Sequence, residues 1–310
     1  MVPRPCQRPQ YACVVSFPET DPAGGWFMSG RAVLVPGDGA DGVTSKSAPT
    51  ETGLPVREVA ADVFCVGPWG RTQTVVYFVR SQRSWVLIDA GWAGDGPAIA
   101  RAARHLLGTA RPVAILLTHC HPDHSGAARA LAVEWGCRVH MHPLELPIAH
   151  GDFAAMQAMA GPLDRWVVLP TLRAIGARRR EAILARNSIA DLTEPFDVSD
   201  HPPGLPGWTF VPTPGHTPGH MAYFRPQDRV LISGDALVTL LVNSVGGLVL
   251  QRPGLSGPPW YTTWSREAAS SSLRTLAGLE PSLVGGGHGL PFDGSEIETA
   301  LRSLVGPERT

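Results

Sequence analysis

From Arg57 onward the chain is written in short apolar blocks. Val63–Val66, Thr74–Val79 and Trp85–Ile88 are β-branched or aromatic runs parted by Gly, Pro or polar turns, the pattern of strands in a meander. Pro97–Leu107 switches to helical periodicity and stops at Gly108, and Val113–Leu117 reads as a buried strand. Ser125 is then in place to cap a helix running to Trp135 and ended by Gly136. Arg138–Met141 resumes strand character, and from Pro143 to about Ser188 the pattern is helical with breaks at Pro162 and Pro170. This block, bounded at about 143–200, is expected to be an insertion rather than more sheet. Trp208–Val211, Met221–Phe224 and Val230–Ile232 return to strands, Ser265–Leu279 is a helix, Ser282–Val284 a strand, and a last helix spans about Ser295–Leu304. Strand runs followed by helices, twice over, predict an α/β (α+β) domain of two packed sheets with helices outside.

The first 55 residues differ. Met1–Pro55 holds eight Pro and seven Gly without sustained periodicity, so it is expected to be a disordered or loosely packed leader outside the domain at 56–310, with Met28 as an alternative start. Arg4 and Arg8 precede only a short apolar stretch before Pro18, which argues against a signal peptide. The most apolar stretch, Ala236–Leu250, is broken by Asn243, Ser244, Gly246 and Gly247 and falls short of the ~18 residues of a spanning helix.

Charge narrows the partners. With 26 Lys+Arg against 27 Asp+Glu and a pI near 6.8, no basic field recommends nucleic acid or an anionic membrane. Cys6, Cys13, Cys65, Cys120 and Cys137 are odd in number and form no C-x-x-C pair, which fits a reducing, cytoplasmic setting better than a disulfide framework. Charged residues are only 17% of the chain, below the usual ~25%, and this points to a small-molecule substrate with an apolar portion or to a homo-oligomer face.

The chemistry is concentrated in four segments. Thr118-His119-Cys120-His121-Pro122-Asp123-His124-Ser125-Gly126 follows a buried strand directly, and imidazole nitrogens with a carboxylate are the ligands of zinc and related divalent ions. Pro212-Thr213-Pro214-Gly215-His216, Ser233-Gly234-Asp235 and Gly285-Gly286-Gly287-His288-Gly289 each follow another strand. The unit strand, Gly turn, ligand is repeated, and Gly lets backbone approach a metal without a Cβ clash.

In these motifs the sequence resembles the metallo-β-lactamase-fold metallo-hydrolase superfamily, over about Val56–Val305 and with a glyoxalase II-like pattern: H-x-H-x-D-H at His119–His124, then His216, Asp235 and His288. The resemblance implies a four-layer αββα sandwich with two divalent metal ions, Zn2+ first and Fe or Mn as alternatives. It places His119, His121 and His216 on one ion, Asp123, His124 and His288 on the other, and Asp235 between them. Asp89, in Val86-Leu87-Ile88-Asp89-Ala90-Gly91, matches an aspartate that orients ligands, and His220 is expected to support the site by hydrogen bonding. Two cations ~3.5–4 Å apart make a bridging hydroxide at neutral pH and polarise a carbonyl or phosphoryl oxygen. The implied activity is hydrolysis of an ester, thioester or lactone, with Asp123 as a proton shuttle.

Other readings stand beside it. A mononuclear iron dioxygenase acting on a persulfide would use only His119, His216 and Asp235, and a non-catalytic, metal-stabilised binding protein would use the site for stability alone. Asp235 speaks against true β-lactamases, and Val238, three residues later, departs from quorum-sensing lactonases, which place a Tyr there. Within the insertion, Met156, Met159, Trp166 and Arg178–Arg180 form either a lid over the metals or an outer layer with Met and Trp facing the core. Leu237–Val242 and Trp260–Trp264 are candidates to line an apolar pocket. His140 and His142 read as structural, His105, His150 and His201 as surface residues, and Cys120 as turned away from the ligands that flank it.

Overall fold

A computed structural model describes residues 55–81 and 84–306; the leader expected at 1–55 lies almost wholly outside the described residues. Seven strands form the first sheet in sequence order: β1 (Val56–Ala60), β2 (Val63–Trp69), β3 (Thr74–Ser81), β4 (Ser84–Ile88), β5 (Ala114–Leu116), β6 (Arg138–Met141) and β7 (Thr193–Pro195). Helices α1 (Gly96–Leu107), α2 (Pro122–Ser125) and α3 (Ala128–Trp135) lie between β4 and β6 in the chain. Four short helices follow in the insertion: α4 (Leu146–Ala149), α5 (Phe153–Ala158), α6 (Leu169–Ala174) and α7 (Ala177–Asn187). The second sheet uses β8 (Thr209–Pro212), β9 (Met221–Arg225), β10 (Val230–Gly234), β13 (Leu283–Gly286) and β14 (Phe292–Asp293) in the order β14-β13-β10-β9-β8. A small ribbon, β11 (Val238–Leu240) with β12 (Pro253–Ser256), flanks helix α8 (Val245–Val249), and α9 (Arg266–Ala277) and α10 (Glu296–Val305) complete the domain.

The layering follows from side-chain alternation. Val63, Cys65, Tyr77, Val79, Val86 and Ile88 face one way and meet Met221, Tyr223, Val230 and Ile232 between the sheets. Their neighbours Phe64, Val66, Val76, Phe78 and Leu87 face the other way and pack on Ile99, Ala103, Leu131 and Ala132 of α1 and α3. The outer face of the second sheet, with Val211, Phe224, Leu231 and Val284, buries Leu276, Ile297, Ala300 and Leu301 of α9 and α10. Strands apolar on both faces are what a sheet covered on both sides requires, and three cores define four layers, helix, sheet, sheet, helix. Each fully buried large aliphatic or aromatic side chain contributes ~1.5–3 kcal/mol.

Strand direction then places the site. β4 and β5 are parallel, as are β10 and β13, and β8 runs with β10 because each is antiparallel to β9. Their C-terminal ends therefore open at one edge of the sandwich, where Asp89, Thr118–His124, His216, Asp235 and His288 follow.

Three expectations change. Ser125 does not cap the long helix: it ends α2, its hydroxyl donating to the Cys120 and His121 carbonyls at 3.2 and 3.1 Å, while α3 starts after Ala127. The 143–200 block is not wholly outside the sheet, since β7 pairs in parallel with β6. Trp166 does not face the core, being 76% exposed.

Candidate metal centre

Each ligand loop is shaped by backbone. Asp89 leaves β4 with φ 58° and Gly234 ends β10 with φ 51°, left-handed conformations that turn the chain sharply at the sheet edge. A Cβ at Gly287 would run into the Asp235 carboxylate and the His124 ring, so the fourth segment needs Gly where its backbone passes these side chains.

The buried Asp89 carboxylate organises the first loop. It accepts from the Thr118 N–H at 2.8 Å and from the Thr118 hydroxyl at 2.9 Å, and His124 Nδ1 lies 2.8 Å from it. A carboxylate only accepts, so His124 carries a proton on Nδ1, and its neutral form presents Nε2 as a lone pair. The Thr118 hydroxyl, having donated to Asp89, accepts from His119 Nδ1 at 3.1 Å, which leaves His119 Nε2 free in the same way. Thr72 O, 3.0 Å from His288 Nδ1, orients His288 likewise. The sequence alone had not singled out Thr72 and Thr118 for these roles; a hydroxyl next to a ligand histidine was the available signal for Thr118.

The freed atoms converge. His119 Nε2 is 3.1 Å from His121 Nδ1, which is 2.8 Å from His216 Nε2. Asp235 Oδ2 is 3.4 Å from His216 Nε2 and 3.2 Å from His288 Nε2, and Asp123 Oδ2 is 3.5 Å from His288 Nε2. His124 Nε2 and Asp235 Oδ1 are buried 3.3 Å apart without hydrogen-bond geometry. Ligand atoms of His119, His121 and His216, of His119, His124 and Asp235, and of Asp123, His124 and His288 all fall within 4.8 Å of one another. His124 Nε2, His216 Nδ1 and Asp235 Oδ1 are buried without a hydrogen-bond partner, and buried polar atoms left unpaired are costly; the donor set fits divalent metal.

Electrostatics divide the cluster. Burial, then the neighbouring imidazoles, lowers the pKa of His119, and burial with His121 lowers that of His216. Burial also opposes charge on His124 and His288, but the carboxylates of Asp235 and others outweigh it and raise both. Burial acts against the Asp235 anion too, and His288 and His124 hold its pKa well below the usual range.

His220 is fully buried beside the ligands without joining them. Its Nε2 accepts from the Asp235 N–H at 3.0 Å, so Nδ1 carries the proton and meets the Thr213 hydroxyl at 2.7 Å. Burial above all depresses its pKa to about 3. Cys120 points to the core, with Sγ 3.4 Å from Met141 Sδ. His140 lies against Phe196 and Glu194, His142 caps the turn at Pro143–Glu145, and His105, His150 and His201 are exposed.

The surroundings reach the insertion. Trp264 N–H donates to His216 O at 3.0 Å, Leu163 N–H to Tyr261 O at 2.6 Å, and Trp260 N–H to Asn243 Oδ1 at 3.0 Å. Tyr261 is half-buried, and burial followed by the Asp235 and Asp123 carboxylates pushes its phenol up to about 12. On either side of this segment, Leu163, Trp166 and Val167 and, beyond Asn243, Val245, Val249 and Leu250 are exposed apolar residues. Leu237, Val238 and Leu240–Val242, by contrast, are buried and belong to packing.

A sandwich of this layering, with histidines and aspartates converging at one sheet edge, defines a metal-dependent hydrolase fold. The metallo-beta-lactamase superfamily model matches residues 69–288, and the chain belongs to that superfamily. It is similar to the probable metallo-hydrolase YflN of Bacillus subtilis (strain 168), 33% identical over 243 residues that cover 74% of this chain and 86% of the relative. Hydroxyacylglutathione hydrolase of Rhizobium meliloti (strain 1021) is a more distant match, 27% identical over 127 residues, 41% of this chain and 34% of that protein. Among solved structures, a beta-lactamase domain protein from Burkholderia ambifaria superposes with TM-score 0.56 at 22% identity, covering 80% of this chain and 74% of that one. At that identity the likeness is one of fold. Among the described residues no helix is long and apolar enough to cross a membrane.

Proposed function

We propose that the chain is a binuclear metal-dependent hydrolase acting on an ester, thioester or lactone whose substituent is apolar. The observation that carries this reading is the position of Asp235, whose Oδ2 lies within 3.4 Å of His216 Nε2 and 3.2 Å of His288 Nε2, between two groups of ligand atoms. His119, His121 and His216 would hold one ion, Asp123, His124 and His288 the other, with Asp235 shared. Two divalent cations held by these residues, zinc foremost, would supply an acidified water and a polarised carbonyl oxygen.

The protein's own groups do the rest. Asp89 and Thr118 fix the tautomers of His124 and His119, so their Nε2 atoms are ready as lone pairs. Asp123 keeps 16% of its side chain exposed against 4% for Asp235, so it is the ligand carboxylate able to pass a proton to a departing alkoxide, thiolate or ring oxygen. Tyr261, with Trp260 and the apolar residues of the insertion, offers a surface for the part of the substrate that does not react.

The reading is tested by turnover of a panel of p-nitrophenyl esters, acyl thioesters and lactones of increasing acyl length by metal-reconstituted protein. Hydrolysis that strengthens with acyl length is expected. No hydrolysis of any member by protein carrying two ions would overturn it.

A further inference from the structure

Besides Asp89, one buried carboxylate lies outside the ligand segments. Glu145 stands in the sequence Pro143-Leu144-Glu145-Leu146-Pro147, at the start of the insertion, and is fully buried. Its Oε2 accepts from the Cys120 N–H at 3.0 Å, and its Oε1 accepts from the Gly219 N–H at 2.9 Å. Cys120 is the residue between His119 and His121, and Gly219 follows His216 by three and precedes His220. The two oxygens of one side chain thus hold two loops that are 99 residues apart and that supply all three histidines of one metal group.

A second observation is independent of these bonds. A Cβ at Gly219 would stand 2.9 Å from Glu145 Cγ, 2.9 Å from its Oε1 and 2.9 Å from His142 Nδ1. The ordinary φ at this position leaves no backbone reason for Gly, so the space is kept for the carboxylate. The Leu144 N–H donates to His142 Nδ1 at 3.1 Å, so the turn that carries Glu145 is itself braced. Burial raises the Glu145 pKa, and the Thr217 side chain, the Cys120 N–H, His121 and the Gly219 N–H counter it.

We propose that Glu145 is a positioning residue for the His119, His121 and His216 metal site, clamping the two ligand loops through the Cys120 and Gly219 N–H groups. The inference rests on the binuclear reading above and adds a role that selects between the two ions. Neither bond reaches the loop of His288, so the Asp123, His124 and His288 group depends on Glu145 only through the shared first loop.

Glu145→Gln is the direct test. The amide keeps size and shape but has one acceptor oxygen, so its NH2 must oppose either the Cys120 or the Gly219 N–H. Titration of metal-free protein with Zn2+, with metal content measured after desalting and Co2+ visible absorption as a second readout, is expected to show one ion bound as in the wild type. The other is expected to bind about 10- to 100-fold more weakly, and anomalous diffraction should find it missing from the three-histidine group. Gly219→Ala, which presses a methyl on the same carboxylate without altering its charge, should give the same selective loss and serves as the test if Glu145→Gln does not fold. A folded variant that keeps both ions at wild-type affinity, or loses both in parallel, overturns the proposal. A wild type that binds two ions without turnover would defeat the hydrolase reading alone, because the readout here is metal and not activity.

Discussion

Asp89 and His220 show how single residues prepare this site before any metal arrives. Asp89 holds a left-handed backbone that Asn tolerates nearly as well as Asp, so Asp89→Asn tests its charge rather than its φ. The amide nitrogen would have to face the Thr118 or the His124 proton, both within 2.9 Å of the carboxylate today. The expected outcome is metal affinity weaker by about 10- to 100-fold with the fold retained, measured by competition with a chromophoric chelator. For His220, the pKa of about 3 in the folded chain lies below its unfolded value of ~6.5. Between these values the unfolded chain binds a proton that the folded chain refuses, so stability falls as pH drops through this window. In metal-free protein, denaturant titrations at pH 7 and pH 4.5 should show an acid loss about 2–3 kcal/mol smaller in His220→Gln than in the wild type. Equal losses would refute the assignment. The candidate ligands were legible in the sequence because each set follows an apolar strand, directly at His119–His124 and through a Gly turn at His216, Asp235 and His288. Glu145 was not, because nothing local distinguishes a buried acid from a solvated one. Its only signal was isolation among Leu144, Leu146 and Ile148.

Elements explain what residue patterns missed. The central strands announced themselves because both faces are apolar, whereas β7 is three residues long, mostly exposed and ends in Pro195, so its pairing comes from β6 and not from its own composition. β11 sits inside Leu237–Val242, where unbroken burial on both sides erases the alternation that marks a strand. Four helices occupy most of the insertion, and its placement shows in the Leu163 N–H bonded to the Tyr261 carbonyl and in Gly161, packed so closely on Thr262 that a Cβ would stand 2.5 Å from its carbonyl carbon. Trp166, three residues on and 76% exposed, carries little folding energy. Trp166→Ala should therefore leave the stability within ~0.5 kcal/mol while raising KM several-fold for long-acyl substrates and sparing kcat on short ones. An unchanged KM across the acyl series would remove the insertion from the substrate surface.

For the whole molecule, the sandwich brings the ends of β4, β5, β8, β10 and β13 to one edge, and this turns five separate loops into one charge-dense cluster. Tyr77 and Tyr223, buried between the sheets, donate to Gly286 O and Leu117 O at 2.8 and 2.9 Å, tying the core to the strands that bear His288 and His119. The same edge buries His124 Nε2 and Asp235 Oδ1 without hydrogen-bond partners, which a bound cation would satisfy. The measurement that tests this account most directly is a stepwise titration of metal-free protein with Zn2+ in which bound metal and ester hydrolysis are followed together. The account predicts two ions per chain, with turnover appearing as the second site fills and abolished in Asp235→Asn. Saturation at one ion with full activity, or two bound ions with none, would contradict it.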